Sequence, residues 1–313
     1  MALKNFLTGS LWSALSVFFI VDAVQAATIY GQAKSLGDGY IRSFVEVSQD
    51  GQPLEIGVAL NKGALSLPTG NYPVIQTQLD IPSEAGATPF QQIQVDYSPG
   101  SAPGFPEVFA VPRFRLDFFL IDSQERALIC PNPDTTGPIP LCVGDEALQA
   151  LKTPVTGAVP DGFFPDGIAE PNYGARFSDP ELALPILLGE KQFTDAYGYG
   201  YFDGKLTFIT AAATKAFVES QATVQTPLKT PVFYPKDGYY PTTYGVSYDA
   251  TTEEYRIGLG TLVFRSSNAQ PVPELSSIWG LLTIAAWGVV FHMRKQQQKT
   301  VMSNKIIEDR INS

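Results

Sequence analysis

The sequence predicts a mostly β protein, an antiparallel barrel or sandwich with a few short helices, followed by a C-terminal transmembrane helix. Three observations carry this expectation. Glycine (27) and proline (25) make up about one in six of the 313 residues, which favours turns and short strands over long helices. Runs of alternating apolar and polar residues are separated by Asp-Gly pairs, the mark of hairpins. An uncharged apolar stretch near the C-terminus is long enough to span a bilayer. Hydrophobic residues form 44% of the chain, enough for a sizeable core and too much for wholesale disorder.

Residues 1–26 read as a secretory signal. Lys4 gives the positive start, Phe6 to Val21 is mostly apolar, and Val24-Gln25-Ala26 offers cleavage between Ala26 and Ala27. The alternative is an uncleaved anchor. Residues 27–264 read as a single exported domain. Its expected strands are Ile41–Ser48 and Leu54–Leu60 about Asp50-Gly51, then Phe90–Tyr97 and Val111–Ile121. Tyr197–Phe202 and Lys205–Thr210 flank Asp203-Gly204, and Tyr244–Asp249 pairs with Glu254–Leu262. Alternation in the second strand points Leu54, Ile56, Val58 and Leu60 inward. Helix is expected over Asp145–Lys152, and after a Thr210 cap through Ala211–Ala213 to Glu219.

Residues 265–274 form a polar linker ending in Val272-Pro273-Glu274. Residues 275–293 follow, 19 residues that make roughly 28 Å of helix. Arg294, Lys295 and Lys299 open the tail 294–313, which the positive-inside bias leaves in the cytoplasm. The order Val-Pro-Glu, hydrophobic helix, basic cluster resembles the PEP-CTERM sorting signal. That resemblance implies export by an exopolysaccharide-producing bacterium, signal peptidase and exosortase as processing partners, and delivery to the cell surface or extracellular matrix. Leu275 stands where that signal has a second proline, and the tail runs on to Ser313. A permanent single-pass anchor is the alternative.

Charge and residue types then exclude several activities. Setting aside one Lys and one Asp in 1–26, and five basic and three acidic residues from Pro271 on, leaves 15 basic and 27 acidic residues, a net charge of -12. Such a surface repels polyanions, so nucleic acid is not an expected partner. The one histidine, His292, falls in the apolar stretch. The exported part therefore has no Ser–His–Asp or Cys–His site and no imidazole for zinc, copper or iron. No cofactor, metal or catalytic residue is expected. Cys130 and Cys142 are an even pair in an exported chain and read as a disulfide. Closing so short a loop is worth at most ~3 kcal/mol, less where prolines already stiffen it.

Strand 111–121 reads VPRFRLDFFLI. Alternation puts Phe114, Leu116, Phe118 and Leu120 on one face, and Arg113, Arg115, Asp117 and Phe119 on the other. The charged face is either solvated or a polar site inside a barrel or cleft. The stretch resembles a bacterial exported family of unknown function with a VPHFDFHFY-type strand. RSFVEV at Arg42–Val47, IGVALNKGAL at Ile56–Leu65, GYFDGKLTF at Gly200–Phe208, TKAF at Thr214–Phe217, GYYPTTYGVSYD at Gly238–Asp249 and EYRIGL at Glu254–Leu259 fit it in order. The resemblance spans about 30 to 264 and implies a fold envelope and an exported location. Where that family's strand has His-x-Asp-x-His, this chain has Arg113, Arg115 and Asp117, and where it has a further histidine this chain has, after Gly174-Ala175, Arg176. Arginine keeps its proton and has no lone pair for a metal. The four residues suit an anion instead. The reading is an envelope or matrix-associated protein without catalytic activity; the alternative is a small-molecule or anion binder, or a histidine-free enzyme, with a polar β site.

Overall fold

Asp203-Gly204 forms a two-residue turn, with Phe202 paired to Lys205 and positive φ at both turn residues (50° and 74°). That conformation matches the twist of the flanking strands, and Asp-Gly adopts it at low steric cost. Asp50-Gly51 lies in a longer turn, closed by the Gly51 amide donating to the Ser48 carbonyl at 2.9 Å. Both hairpins belong to a computed structural model that describes residues 26–83, 86, 88–100, 107–137 and 139–267. The signal segment up to residue 25, the Val272-Pro273-Glu274 motif, the apolar stretch 275–293 and the tail 294–313 lie outside the described residues.

Sixteen strands are described. In chain order they begin β1 (Ala27–Tyr30), β2 (Lys34–Leu36), β3 (Gly39–Val47), β4 (Pro53–Asn61), β5 (Ile75–Asp80), β6 (Gln92–Pro99), β7 (Pro112–Phe119) and β8 (Phe164–Glu170). The rest are β9 (Gly174–Ser178), β10 (Asp195–Phe202), β11 (Lys205–Thr214), β12 (Val224–Pro227), β13 (Gly238–Tyr240), β14 (Thr243–Asp249), β15 (Glu254–Gly260) and β16 (Val263–Arg265). One sheet runs β1-β3-β4-β15-β14-β12, with β2 added on β3; the other runs β5-β6-β7-β11-β10-β9-β8, and β13 pairs with β16. All pairings between named strands are antiparallel. Of the two expected architectures, the chain takes the sandwich-like one.

The core lies between the sheets. Val58 stands opposite Ser43 on one side and Ile257 on the other, and Ile257 opposite Val246, so one buried row crosses four strands. Phe114, Leu116 and Phe118 of β7 answer it from the second sheet, each fully buried. Burying side chains of this size contributes about 1.5–3 kcal/mol apiece. Tyr234, Tyr240 and Tyr244 pack into the same core, as hairpin and core residues.

Two expectations are corrected. Leu54 is 38% exposed, whereas Ile56, Val58 and Leu60 are buried; Leu54 sits where β4 enters the sheet beside a turn, and its carbonyl accepts from the Leu262 amide at 3.1 Å. Ala211–Ala213 are strand, because β11 continues to Thr214 between β7 and β10. Thr214, not Thr210, caps the helix that follows, accepting from the Phe217 amide. That helix, Lys215–Glu219, is the last of four α-helices among the described residues, after α1 (Ser123–Ala127), α2 (Gly144–Ala150) and α3 (Pro180–Leu187), and is α4 below. Asp122 and Glu125 close a capping box on α1, and Asp179 caps α3 ahead of Pro180.

Candidate functional site

Strand β7 turns Arg113, Arg115, Asp117 and Phe119 away from the inter-sheet core, as alternation requires. Its neighbours set what these side chains meet. On β6, Asp96 is opposite Arg115 and Gln94 opposite Asp117. On β11, Ala212 is opposite Arg115 and Thr210 opposite Asp117. Arg115 Nη2 bonds Asp96 Oδ2, and Arg115 Nε lies 3.0 Å from Asp117 Oδ2. Asp96 also accepts from Gln76 at 3.2 Å, Gln94 at 3.0 Å and the Tyr173 hydroxyl at 3.3 Å.

The chain after β7 folds back over this face. Arg126 of α1 stacks on the Phe119 ring at 3.8 Å, and Tyr173 packs edge-on or tilted against Phe119 and Phe208. Arg176 of β9 bonds Glu170 of β8 at 2.9 Å. Three arginines (115, 126, 176) thus meet three carboxylates (96, 117, 170) around one tyrosine. Asp117 is fully buried and Asp96 only 6% exposed, so the charged face is not a solvated one. A buried ion pair of this kind is tolerated only when each charge is partnered.

The field in this nest follows from burial and pairing. Burial raises the Asp117 carboxyl, and Arg115 and Arg176 offset that only in part. Burial would raise Glu170 as well, yet Arg176 and Arg115 hold it below the usual carboxylate range. Burial would lower Arg115, but Asp117, Asp96 and Glu170 together raise it. Tyr173 is raised by burial and by the two aspartates, so its hydroxyl stays a donor. The nest gathers three guanidinium groups, three carboxylates and one phenol.

The structure therefore brings Arg115, Asp117 and Arg176 together, and sets Arg113 apart at the strand end. There its guanidinium donates to the Phe109 and Val111 carbonyls, and burial, with Arg115 and Arg176, lowers it to about 10. Asp96, Arg126, Glu170 and Tyr173 were not foreseen as members. The alternation Gln92, Gln94, Asp96 along β6 was a readable sign of a polar face; the other three come from a fold-back with no local signal. Beside the nest a cleft of about 120 Å³ opens on the outer face, lined by Arg115, Arg176, Ser178, Ala196, Gly198, Thr210 and Ala212 among others. A wider hollow of about 470 Å³, lined by Lys62, Leu65, Ser66, Glu219, Gln221 and Tyr255, lies elsewhere and gathers no such cluster.

The outer face of the first sheet carries a second polar network. Fully buried Glu254 accepts from the Tyr40 hydroxyl at 3.0 Å and pairs with Arg42 at 2.7 Å. Arg256 bonds Glu46 at 2.8 Å and the Tyr30 hydroxyl at 2.9 Å. Glu46 stands directly opposite Glu55. Burial, then Glu46, pushes Glu55 up to about 7.

Cys130 and Cys142 are bonded, and both are buried in a small core of their own with Ile129, Ala150 and Ala169. Asp179 and Asp249 serve as a helix cap and a turn residue. Among the described residues no group of three or more His, Cys, Asp or Glu is arranged to hold a metal ion, and no helix is long and apolar enough to cross a membrane. Fold and site together define an antiparallel β-sandwich with arginine–carboxylate nests on its outer faces. No family model, curated protein or solved structure shows a significant match to the chain.

Proposed function

We propose that this protein is an exported, non-catalytic envelope domain, displayed by its C-terminal segment. One observation carries the reading: β1 begins and β15 ends at the same end of the first sheet. Ala27 pairs with Val47, which pairs with Pro53, and the Leu262 amide bonds the neighbouring Leu54 carbonyl. Three strand spacings, roughly 15 Å, separate Ala27 from the Leu54–Leu262 contact, from which β16 carries the chain on against β13. A domain held there presents its far end and both outer sheet faces away from its attachment. In this reading signal peptidase frees Ala27, residues 275–293 hold the protein in the membrane, and an exosortase acts near Val272-Pro273-Glu274 to pass it to an exopolysaccharide matrix. The chain is then a divergent member of the VPHFDFHFY-type family, with arginine and aspartate in place of histidine. The paired guanidinium groups support a non-catalytic role, since each carboxylate of the nest is engaged by a cation.

Intact-mass measurement on the protein from an exosortase-bearing host tests this. The expected species begins at Ala27 and has lost the residues beyond Glu274. A species that starts at Ala27 and keeps Ser313 replaces sorting with a permanent anchor. One that retains residues 1–26 in the soluble fraction overturns export.

A further inference from the structure

The end of the second sheet where β7 stops carries apolar side chains that folding does not use. Helix α2 buries Ala150 and packs Ala147 on the small core around the disulfide. It leaves Leu148 (71% exposed) and Leu151, three residues apart and so on one face, in the open. A helix shaped by folding alone would bury the leucines and expose the alanines. Leu128, between α1 and the same core, is 72% exposed, and Val155, Val232 and Phe264 also stand out. Hydrogen bonds gather these segments at one end. The Asp203 amide of the β10–β11 turn donates to the Gln149 carbonyl, Tyr201 beside that turn donates to the Ala158 carbonyl, and the Val232 amide donates to the Gly157 carbonyl. Most of the large apolar side chains exposed among the described residues lie here. Such a concentration marks a contact surface.

The course of the chain says what covers it. Strand β16, which carries Phe264, leads to Ser267, the last described residue. The Ser267 amide donates to Asp237 at 2.6 Å, and the neighbouring Lys236 ammonium donates to the Leu120 carbonyl, one residue past β7, at 2.8 Å. The chain therefore leaves the described domain at the apolar end. From Ser267 only eight peptide steps lead to Leu275, where the uncharged apolar stretch opens. At up to ~3.5 Å each they reach roughly 28 Å. Strand β11, with its ten residues, is longer, at about 33 Å. Whatever holds residues 275–293 thus lies within about one strand length of this exit.

We propose that this end of the domain rests on the lipid bilayer that holds residues 275–293, with Leu128, Leu148, Leu151, Val155, Val232 and Phe264 entering its interface. This orientation rests on the display reading above and goes further, from a domain tethered near a membrane to one seated on it. The exported part has 15 basic against 27 acidic residues, a net charge of -12. That balance gives no attraction to anionic headgroups, so the contact is apolar and suits a zwitterionic surface.

The test uses the exported protein, made in a host without an exosortase so that residues 275–293 stay attached, in phosphatidylcholine vesicles with brominated acyl chains. Leu148→Trp and Val232→Trp report on the apolar end. Val74→Trp is the reference; Val74 is exposed at the other end of the second sheet, beside the Ile75–Tyr97 pair. After subtraction of the wild-type signal, lipid bromine should quench the two reporters at least threefold more than the reference. Adding Leu128→Asp and Leu151→Asp to Val232→Trp should remove most of that difference. Equal quenching at all three positions, in protein that floats with the vesicles, overturns the proposal and leaves the display reading standing. Blue-shifted emission from the two reporters without quenching means that a second copy of the chain covers the patch, and overturns it as well. Protein that does not float has no hold on the membrane, and both readings then fall.

Discussion

Removing the Arg115 side chain would leave two buried carboxylates, Asp96 and Asp117, without the cation they share. An unpaired buried charge costs far more than the pair contributes, so Arg115→Ala should destabilise the domain by about 3–5 kcal/mol. Urea unfolding reads this directly, and a loss under about 1 kcal/mol would mean that water reaches the nest. Glu55 makes the opposite kind of statement. Its folded-state pKa is raised from the usual 4.5 to about 7, so between those values the native state holds a proton that the unfolded chain has released. Stability from this group is complete below about pH 4.5 and is lost as pH rises through 7, by at most about 3 kcal/mol. Relative to wild type, Glu55→Gln should therefore gain stability from pH 5 to pH 8, and parallel pH profiles for the two proteins would refute the assignment. Of these residues the sequence showed Arg115 and Asp117 on one strand face, because period two is local. It could not show Asp96 or Glu170 as partners, since strand pairing and the fold-back decide that.

At the scale of elements, the instructive case is Thr210 to Glu219. Three alanines after a threonine suit a capped helix by propensity alone. In the fold β11 lies between β7 and β10, and extending it to Thr214 satisfies two ladders of backbone hydrogen bonds. Tertiary pairing outweighs alanine's preference, and the cap moves four residues on. Thr214→Ala should then cost about 1 kcal/mol, more than the Thr210→Val change costs, with α4 fraying first in hydrogen exchange at the Phe217 amide. Equal protection of that amide in wild type and Thr214→Ala would remove the cap from the account. Hairpins at Asp203-Gly204 and Asp50-Gly51 were legible because turn chemistry is written in two residues. Strands β8, β9 and β12 were not, being short and interrupted by glycine or proline. The α1 capping box, Asp122 with Glu125, carried a signal that three residues would have been enough to read.

Over the whole molecule, strands β1 to β16 find their pairing partners between Ala27 and Arg265. A mostly β, antiparallel class was readable from alternation and turn spacing, with barrel and sandwich both open; the choice between them and the strand order were not, because they depend on long-range pairing such as β4 with β15. Residues 27–267 alone should fold cooperatively, with a single transition seen alike by near-ultraviolet and far-ultraviolet circular dichroism. Loss of the near-ultraviolet signal in that fragment would mean that the flanks contribute to the core. The nearness of Ala27 and Leu262 at one end of the first sheet has a topological consequence. A linker of about five or six residues, at up to ~3.3 Å each, would join Leu262 to Ala27 across roughly 15 Å in place of β16. The turn at Thr251–Glu253, between β14 and β15, lies at the opposite pole, where Glu254 pairs with Asn61. A circular permutant opened there keeps every ladder of the two seven-stranded sheets intact and moves both chain ends to the other pole, turning the molecule upside down on whatever holds it.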